Sequence, residues 1–147
     1  MSATNIYAPP AYSGLRQESN LDQYVDIGFD YVYDVTLTGN QALADQVVPI
    51  QNDADFAWRA IILADYDGAF QYRISDSQGY YLSNGFLLWA NLLSGTVPVP
   101  YPIFPELLFP SGGRIGIDIT DLSGNSNVIQ LTFRGVKRYR VPGAPVR

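Results

Sequence analysis

The sequence predicts a single all-β domain: a β-sandwich, jelly-roll-like, of about eight strands, with a closed barrel as the competing all-β architecture. Several segments alternate apolar and polar residues with a period of two, in β-branched and aromatic types. Turn residues recur every 8–12 positions. No stretch carries the 3.6-residue periodicity of an amphipathic helix. A chain of 147 residues is long enough for such a domain to bury a core without a disulfide or metal.

Residues 1–20 read as an extended N-terminal arm. It has Pro9, Pro10 and Gly14 and no periodicity, yet Ile6, Tyr7, Tyr12 and Leu15 are spaced apolar anchors suited to another surface. The sandwich domain is expected over 21–147. In IGFDYVYDVTLT (27–38), Phe29, Tyr31, Tyr33, Val35 and Leu37 share one face, and Asp30, Val32, Asp34 and Thr36 the other. Gly39-Asn40 ends that strand. QVVPIQ (46–51) contains Pro49 and belongs at an edge or a bend. FAWRAIILA (56–64) is apolar enough for a central strand, with a short helix as the alternative. Asp67-Gly68 is a typical hairpin pair, and AFQYRIS (69–75) returns with Phe70, Tyr72 and Ile74 inward, so 56–75 is expected to form a β-hairpin.

After a turn at 76–79, Tyr80, Tyr81 and Leu82 begin another strand. Residues 83–104 read as a long irregular loop, broken by Gly85, Gly95, Pro98, Pro100 and Pro102. Its apolar load (Phe86, Leu87, Leu88, Trp89, Leu92 and Leu93) is large for a free loop. Some of these side chains can fold back onto the core, and the remainder would form an exposed patch at a subunit interface with Trp89 as its anchor. PELLFP (105–110) is bracketed by prolines. RIGIDIT (114–120) alternates with Ile115, Ile117 and Ile119 on one face. VIQLTFRGVKRYR (128–140) is a long last strand with Ile129, Leu131 and Phe133 on one side. Gly135 is expected to mark a bulge, after which Val136 and Tyr139 resume the pattern shifted. The tail from 141 is irregular. Phe29, Tyr31, Tyr33, Trp58, Ile61, Phe70, Tyr72, Ile115, Ile117, Ile129, Leu131 and Phe133 are the expected core.

Cys and His are absent. Without them there is no thiolate nucleophile, no Ser-His-Asp triad, no ordinary zinc site and no disulfide. Paired carboxylates are the catalytic option that remains: Asp53 with Asp55, Asp65 with Asp67, and Asp118 with Asp121. All sit at turn signals, where Asp bonds its own backbone. A non-enzymatic protein without cofactor or metal is therefore expected. No apolar run approaches the ~18 residues of a membrane helix, and MSATNIYAPPAYSG lacks the character of a signal peptide, so no membrane partner is expected.

Residues 1–76 hold eleven carboxylates and three Arg, whereas residues 77–147 hold three carboxylates and six bases. The acidic half discourages nucleic-acid binding. Arg138 and Arg140 read either as a solvated strand end or as rim contacts to the acidic half of a neighbouring copy. Low charge, abundant Tyr and Phe, and Arg in place of Lys suit surfaces buried between subunits. The candidate interface residues are therefore Ile6, Tyr7, Tyr12, Leu15, Phe86, Trp89, Leu92, Arg138 and Arg140. Exposed clustering of Trp89, Tyr80 and Tyr81 would instead suit a sugar-binding module.

The strings FQYRISDSQGYYLSN (70–84), YPIFPELLFPSGGRIGIDITDLSG (101–124) and NVIQLTFRGVKRYR (127–140) resemble those of small β-rich virion proteins of tailed bacteriophages. The resemblance covers roughly residues 50–140 and omits the arm. It implies a structural role in the virion, assembled in the host cytoplasm. The protein would be a capsid decoration or cement protein, or a tail or head-tail junction protein. Its partners would be copies of itself, a trimer on the resemblance alone, and other virion proteins such as the major capsid protein. A receptor- or carbohydrate-binding jelly roll is the alternative expectation.

Overall fold

The structure, a computed structural model, describes residues 23–141. In chain order the strands are β1 (Tyr24–Leu37), β2 (Ala42–Pro49), β3 (Asp55–Asp65), β4 (Phe70–Ser75), β5 (Leu87–Leu88), β6 (Leu93–Ser94), β7 (Val97–Pro98), β8 (Tyr101–Phe109), β9 (Arg114–Asp121) and β10 (Asn127–Arg140). A single 3₁₀ turn, Trp89–Leu92, is the helical element among the described residues. One sheet has the order β1-β10-β3-β8 and the other β2-β9-β4-β5, while β6 and β7 form a small separate hairpin.

The pairing explains this order. β1 pairs antiparallel with β10, β2 with β9, β3 with β8 and β4 with β5. The chain is thus a long antiparallel ribbon folded double, whose successive pairs fall alternately into the two sheets. That winding is a jelly roll. It forces the chain to cross between sheets after β1, β2, β3, β8 and β9, and again between β5 and β8 by way of the β6–β7 hairpin.

Alternation supplies the core. Tyr31, Tyr33 and Leu37 from β1 and Ile129, Leu131 and Phe133 from β10 line the inner face of the first sheet, all buried. Phe70, Tyr72 and Ile74 from β4 and Ile115, Ile117 and Ile119 from β9 face them from the second. Trp58 sits among the rings of Phe133 and Phe109, with centroids 5.4 and 6.1 Å away. Of the expected core residues, Phe29 alone is only partly buried, because it lies where β1 begins to run past the sandwich.

Four expectations are corrected. Residues 56–75 are not a hairpin: β3 and β4 lie in different sheets, and Asp67-Gly68 is a crossover. Its backbone N–H groups donate to Asn127 Oδ1 at 3.0 and 3.1 Å, not across a two-strand ladder. Residues 101–109 are a strand despite Pro102 and Pro105, because β8 is an edge strand and tolerates the missing donors. The 83–104 stretch is correspondingly shorter as a loop and is broken by β5, β6, β7 and the 3₁₀ turn. Finally, the bulge lies on β3: Arg134 faces Ala60 and Gly135 faces Trp58, which leaves Arg59 as the extra residue.

β10 itself keeps its alternation, and Lys137 rather than a shifted Val136 continues the inner face. Gly135 is needed there because a Cβ would fall 1.9 Å from the Ala57 carbonyl oxygen. β2 lies at a sheet edge with Pro49 as its last residue, in line with the sequence reading.

Polar side chains tie the crossovers at one end. Asp121 is 1% exposed. Its Oδ2 accepts from the Asn40 N–H (2.8 Å) and the Gly124 N–H (2.9 Å), and its Oδ1 from the Ser123 hydroxyl (2.6 Å). Asn127 donates to Asp121 Oδ1 (3.0 Å) and to the carbonyls of Gly68 and Ala69.

Phe133→Ala should lower unfolding stability by about 3–5 kcal/mol, through lost transfer energy plus a residual cavity. Asp121→Ala should lower it by about 2–4 kcal/mol, by leaving buried donors without an acceptor. Urea unfolding followed by tryptophan emission checks both. A loss below ~1 kcal/mol for Asp121→Ala would show the crossovers to be held by packing alone.

Candidate interaction surface

Three surfaces carry chemistry-bearing side chains. The outer face of the first sheet is a set of cross-strand ion pairs. Arg138 makes two 2.9 Å hydrogen bonds to Asp26 and lies 3.1 Å from Glu106, and Arg59 lies 2.8 Å from Glu106. Arg134 pairs with Asp30, and Gln130 donates to Asp34. The hydrogen bond from Arg138 holds the Asp26 carboxyl below its ordinary range, and that from Arg59 does the same for Glu106. Arg138 was expected to reach a neighbour's carboxylates. It is instead engaged by its own chain, since antiparallel register places Asp26 directly opposite. Arg140 is exposed at the end of β10, opposite Tyr24.

On the outer face of the second sheet, the 76–86 segment folds back over β9 and β4. The Arg73 guanidinium lies 3.6 Å from the Tyr81 ring centroid and 4.9 Å from that of Phe86. Asp118, 7% exposed, accepts from the Tyr81 hydroxyl (2.7 Å) and the Asp45 N–H (2.9 Å). Burial opposes the charge on Asp118, but those donors and Arg73 outweigh it and its pKa is lowered. Asp118 lies within β9 and not at a turn, contrary to the sequence reading.

The remaining carboxylate pairs do not meet across a cleft. Asp53 binds Lys137 Nζ and the Tyr139 hydroxyl, Asp55 accepts from the Ser111 N–H, and Asp67 from the Val128 N–H. Among the described residues no three acidic side chains converge on a common point. No helix among them is long and apolar enough to cross a membrane.

The third surface is the open side of the sandwich, where β8 and β5 are the last strands of their sheets. β5 has only two residues, opposite Gln71 and Tyr72. Further along β4 the chain touches it only through a Ser75–Tyr81 bridge and the Leu82 N–H donating to the Ile74 carbonyl at 2.9 Å. β8 departs from β3 between its two paired stretches: Arg59 alone faces the four residues Ile103–Glu106. An apolar cleft of about 490 Å³ opens between the two edges. Trp58, Ile61, Tyr72, Ile74, Tyr101 and Leu107 line it, with Ser83 and Glu106 as polar members. Burial pushes the Tyr72 phenol up to about 12. At the tip of the β8 bulge Phe104 is 95% exposed.

The sequence-derived interface residues divide. Ile6, Tyr7, Tyr12 and Leu15 lie outside the described residues. Phe86 is 42% exposed and caps its own Arg73. Trp89 is half-buried against the core, and Leu92, wholly buried, belongs to it. The 3₁₀ turn tucks these two inward, so they do not form the exposed patch expected of the 83–104 segment. Nor does Trp89 join Tyr80 and Tyr81 in an exposed aromatic cluster. Phe104 was missed, because flanking prolines suggested a turn and not a bulged edge strand. A large aromatic between two Pro-containing positions, 102 and 105, was the available signal.

Asp26, Glu106, Asp118 and Asp121 all have folded pKa values below their ordinary ones. The unfolded chain therefore binds protons more readily. The corresponding stability is present above the ordinary carboxylate range and is lost as pH falls through about 4 towards the folded values. Urea midpoints should hold steady from pH 7 to 5.5 and fall steeply by pH 3. A flat profile to pH 3 would contradict the ion-pair and crossover assignments. Comparison with protein-family models and with curated proteins gives no match to this chain.

Proposed function

We propose that this chain is a non-enzymatic structural protein that works by self-association, as a decoration or cement protein of a bacteriophage capsid. The observation that carries the structural reading is the open apolar side of the sandwich. A cleft, an almost fully exposed Phe104 at its rim and the half-exposed Tyr101 in its wall lie there together. Single exposed apolar residues are ordinary, but a contiguous patch with a bare aromatic knob marks an interaction site. The virion assignment draws on the resemblance of residues 50–140 to phage proteins, and on an architecture that serves in viral capsids among other roles. Asp53, Asp55, Asp67, Glu106, Asp118 and Asp121, which are committed to crossovers, turns or ion pairs, support a non-catalytic reading.

The carbohydrate-binding alternative draws on Tyr80, 67% exposed beside the stacked Tyr81. It has less support, since Trp89 is turned to the core.

The test is assembly of the full chain. Purified protein should sediment as an oligomer and should co-sediment with capsids that lack it. Deleting residues 1–20 should leave the far-UV β spectrum intact while weakening capsid binding at least tenfold. A protein monomeric at 100 µM, about a hundredfold above a micromolar Kd, that ignores capsids would refute the structural reading. Saturable glycan binding by that monomer would favour the alternative.

A further inference from the structure

We infer that the cleft on the open side of the sandwich is the socket for Phe104 of a second copy of this chain, the two copies exchanging knobs about a two-fold axis beside β8; this rests on the self-associating reading above.

Knob and socket share one strand. Phe104 stands at the tip of the β8 bulge, while its neighbours Ile103 and Pro105 line the cleft. Phe104 does not line the cleft of its own chain; its ring is 95% exposed. A two-fold axis past β8 would set each knob over the other copy's socket and use both in one closed contact.

The seam would be made of side chains and not of backbone. Pro102 and Pro105 lack N–H donors, which blunts strand-to-strand addition along β8. Charge does not oppose the approach. At the base of the bulge, Arg59 and Arg138 are matched by Asp26 and Glu106 within each copy. Two such neutral groups can face one another without like-charge repulsion.

The area is of the right order. Phe104, Tyr101, Leu82 and Leu87 are 95, 48, 43 and 36% exposed. Together they offer on the order of 500 Å² of apolar surface per copy. With a polar rim this approaches the ~800 Å² per partner of an ordinary stable interface. A central aromatic in a desolvated pocket is the usual energetic anchor of such a contact.

Full-length Phe104→Ala tests the proposal, since an exposed side chain can be removed without disturbing the core. Sedimentation velocity should show dimers, or multiples of them, for the unaltered chain. The variant's dissociation constant should rise about thirtyfold or more, with an unchanged thermal midpoint. The chain has no cysteine, so engineered thiols report without background. Phe104→Cys and Leu82→Cys chains, mixed and air-oxidised, should give a cross-linked pair, and neither alone should do so. An unchanged oligomer in Phe104→Ala, or a mixture that fails to cross-link, would overturn the socket and leave the structural reading standing. A monomeric wild type whose tryptophan emission shifts when residues 1–20 are removed would place the chain's own arm in the cleft and also overturn it. A monomer indifferent to capsids would remove both readings.

Discussion

Asp121 and Asn127 join three turns that are far apart in sequence. The carboxylate accepts from the turn between β1 and β2, through Asn40, and from the turn between β9 and β10, through Ser123 and Gly124. The carboxamide holds the crossover from β3 to β4, through Asp67, Gly68 and Ala69. Each of these turns leaves one sheet for the other, so its backbone polar groups find no ladder partner and must be satisfied by side chains. The turns also touch: a Cβ at Gly39 would meet the Gly124 carbonyl oxygen at 2.4 Å. A jelly roll needs its ribbon to bend sharply between sheets, and here one buried anion and the carboxamide bonded to it supply the acceptors that make the bends compatible.

The opposite arrangement governs the side that carries the cleft. There the second sheet ends in a strand of two residues and the first in a proline-bearing, bulged strand. Neither edge can extend by simple backbone pairing, and between them the cleft reaches down to Trp58 and Tyr72, each 3% exposed. The same features that protect the edges from indiscriminate strand addition also open the sandwich. The apolar opening lies where the fold fails to close, whereas the outer face of the first sheet carries charged groups largely matched to one another.

Much of this architecture was legible from local pattern. β1, β9 and β10 are long runs of strict alternation, and their inner faces were read residue by residue. What escaped was pairing. Asp67-Gly68 has the chemistry of a turn, but hairpins and crossovers use the same residues. The choice is made by Asn127, sixty positions away in the sequence. The bulge was rightly associated with Gly135, yet the inserted residue is Arg59 on the facing strand, because the close approach comes from Ala57. Leu92 and Trp89 looked like surface because the prolines around them implied a loop. A single 3₁₀ turn suffices to aim them inward. Arg138 looked like a free cation because its partners, Asp26 and Glu106, are remote in sequence and adjacent only through register.

Lys137 has a consequence of a different kind. It is the only lysine in the chain, it is 4% exposed, and it is held between Asp53 and the ring of Phe29, whose centroid is 4.1 Å away. A folded domain of this kind shows amine-directed reagents no lysine at its surface. Acylation of the side chain then requires the 50–54 segment and the end of β10 to part, so its rate becomes a clock for that local opening. Aldehyde fixation would leave the domain uncoupled through lysine, whereas arginine- or tyrosine-directed chemistry would attach it readily.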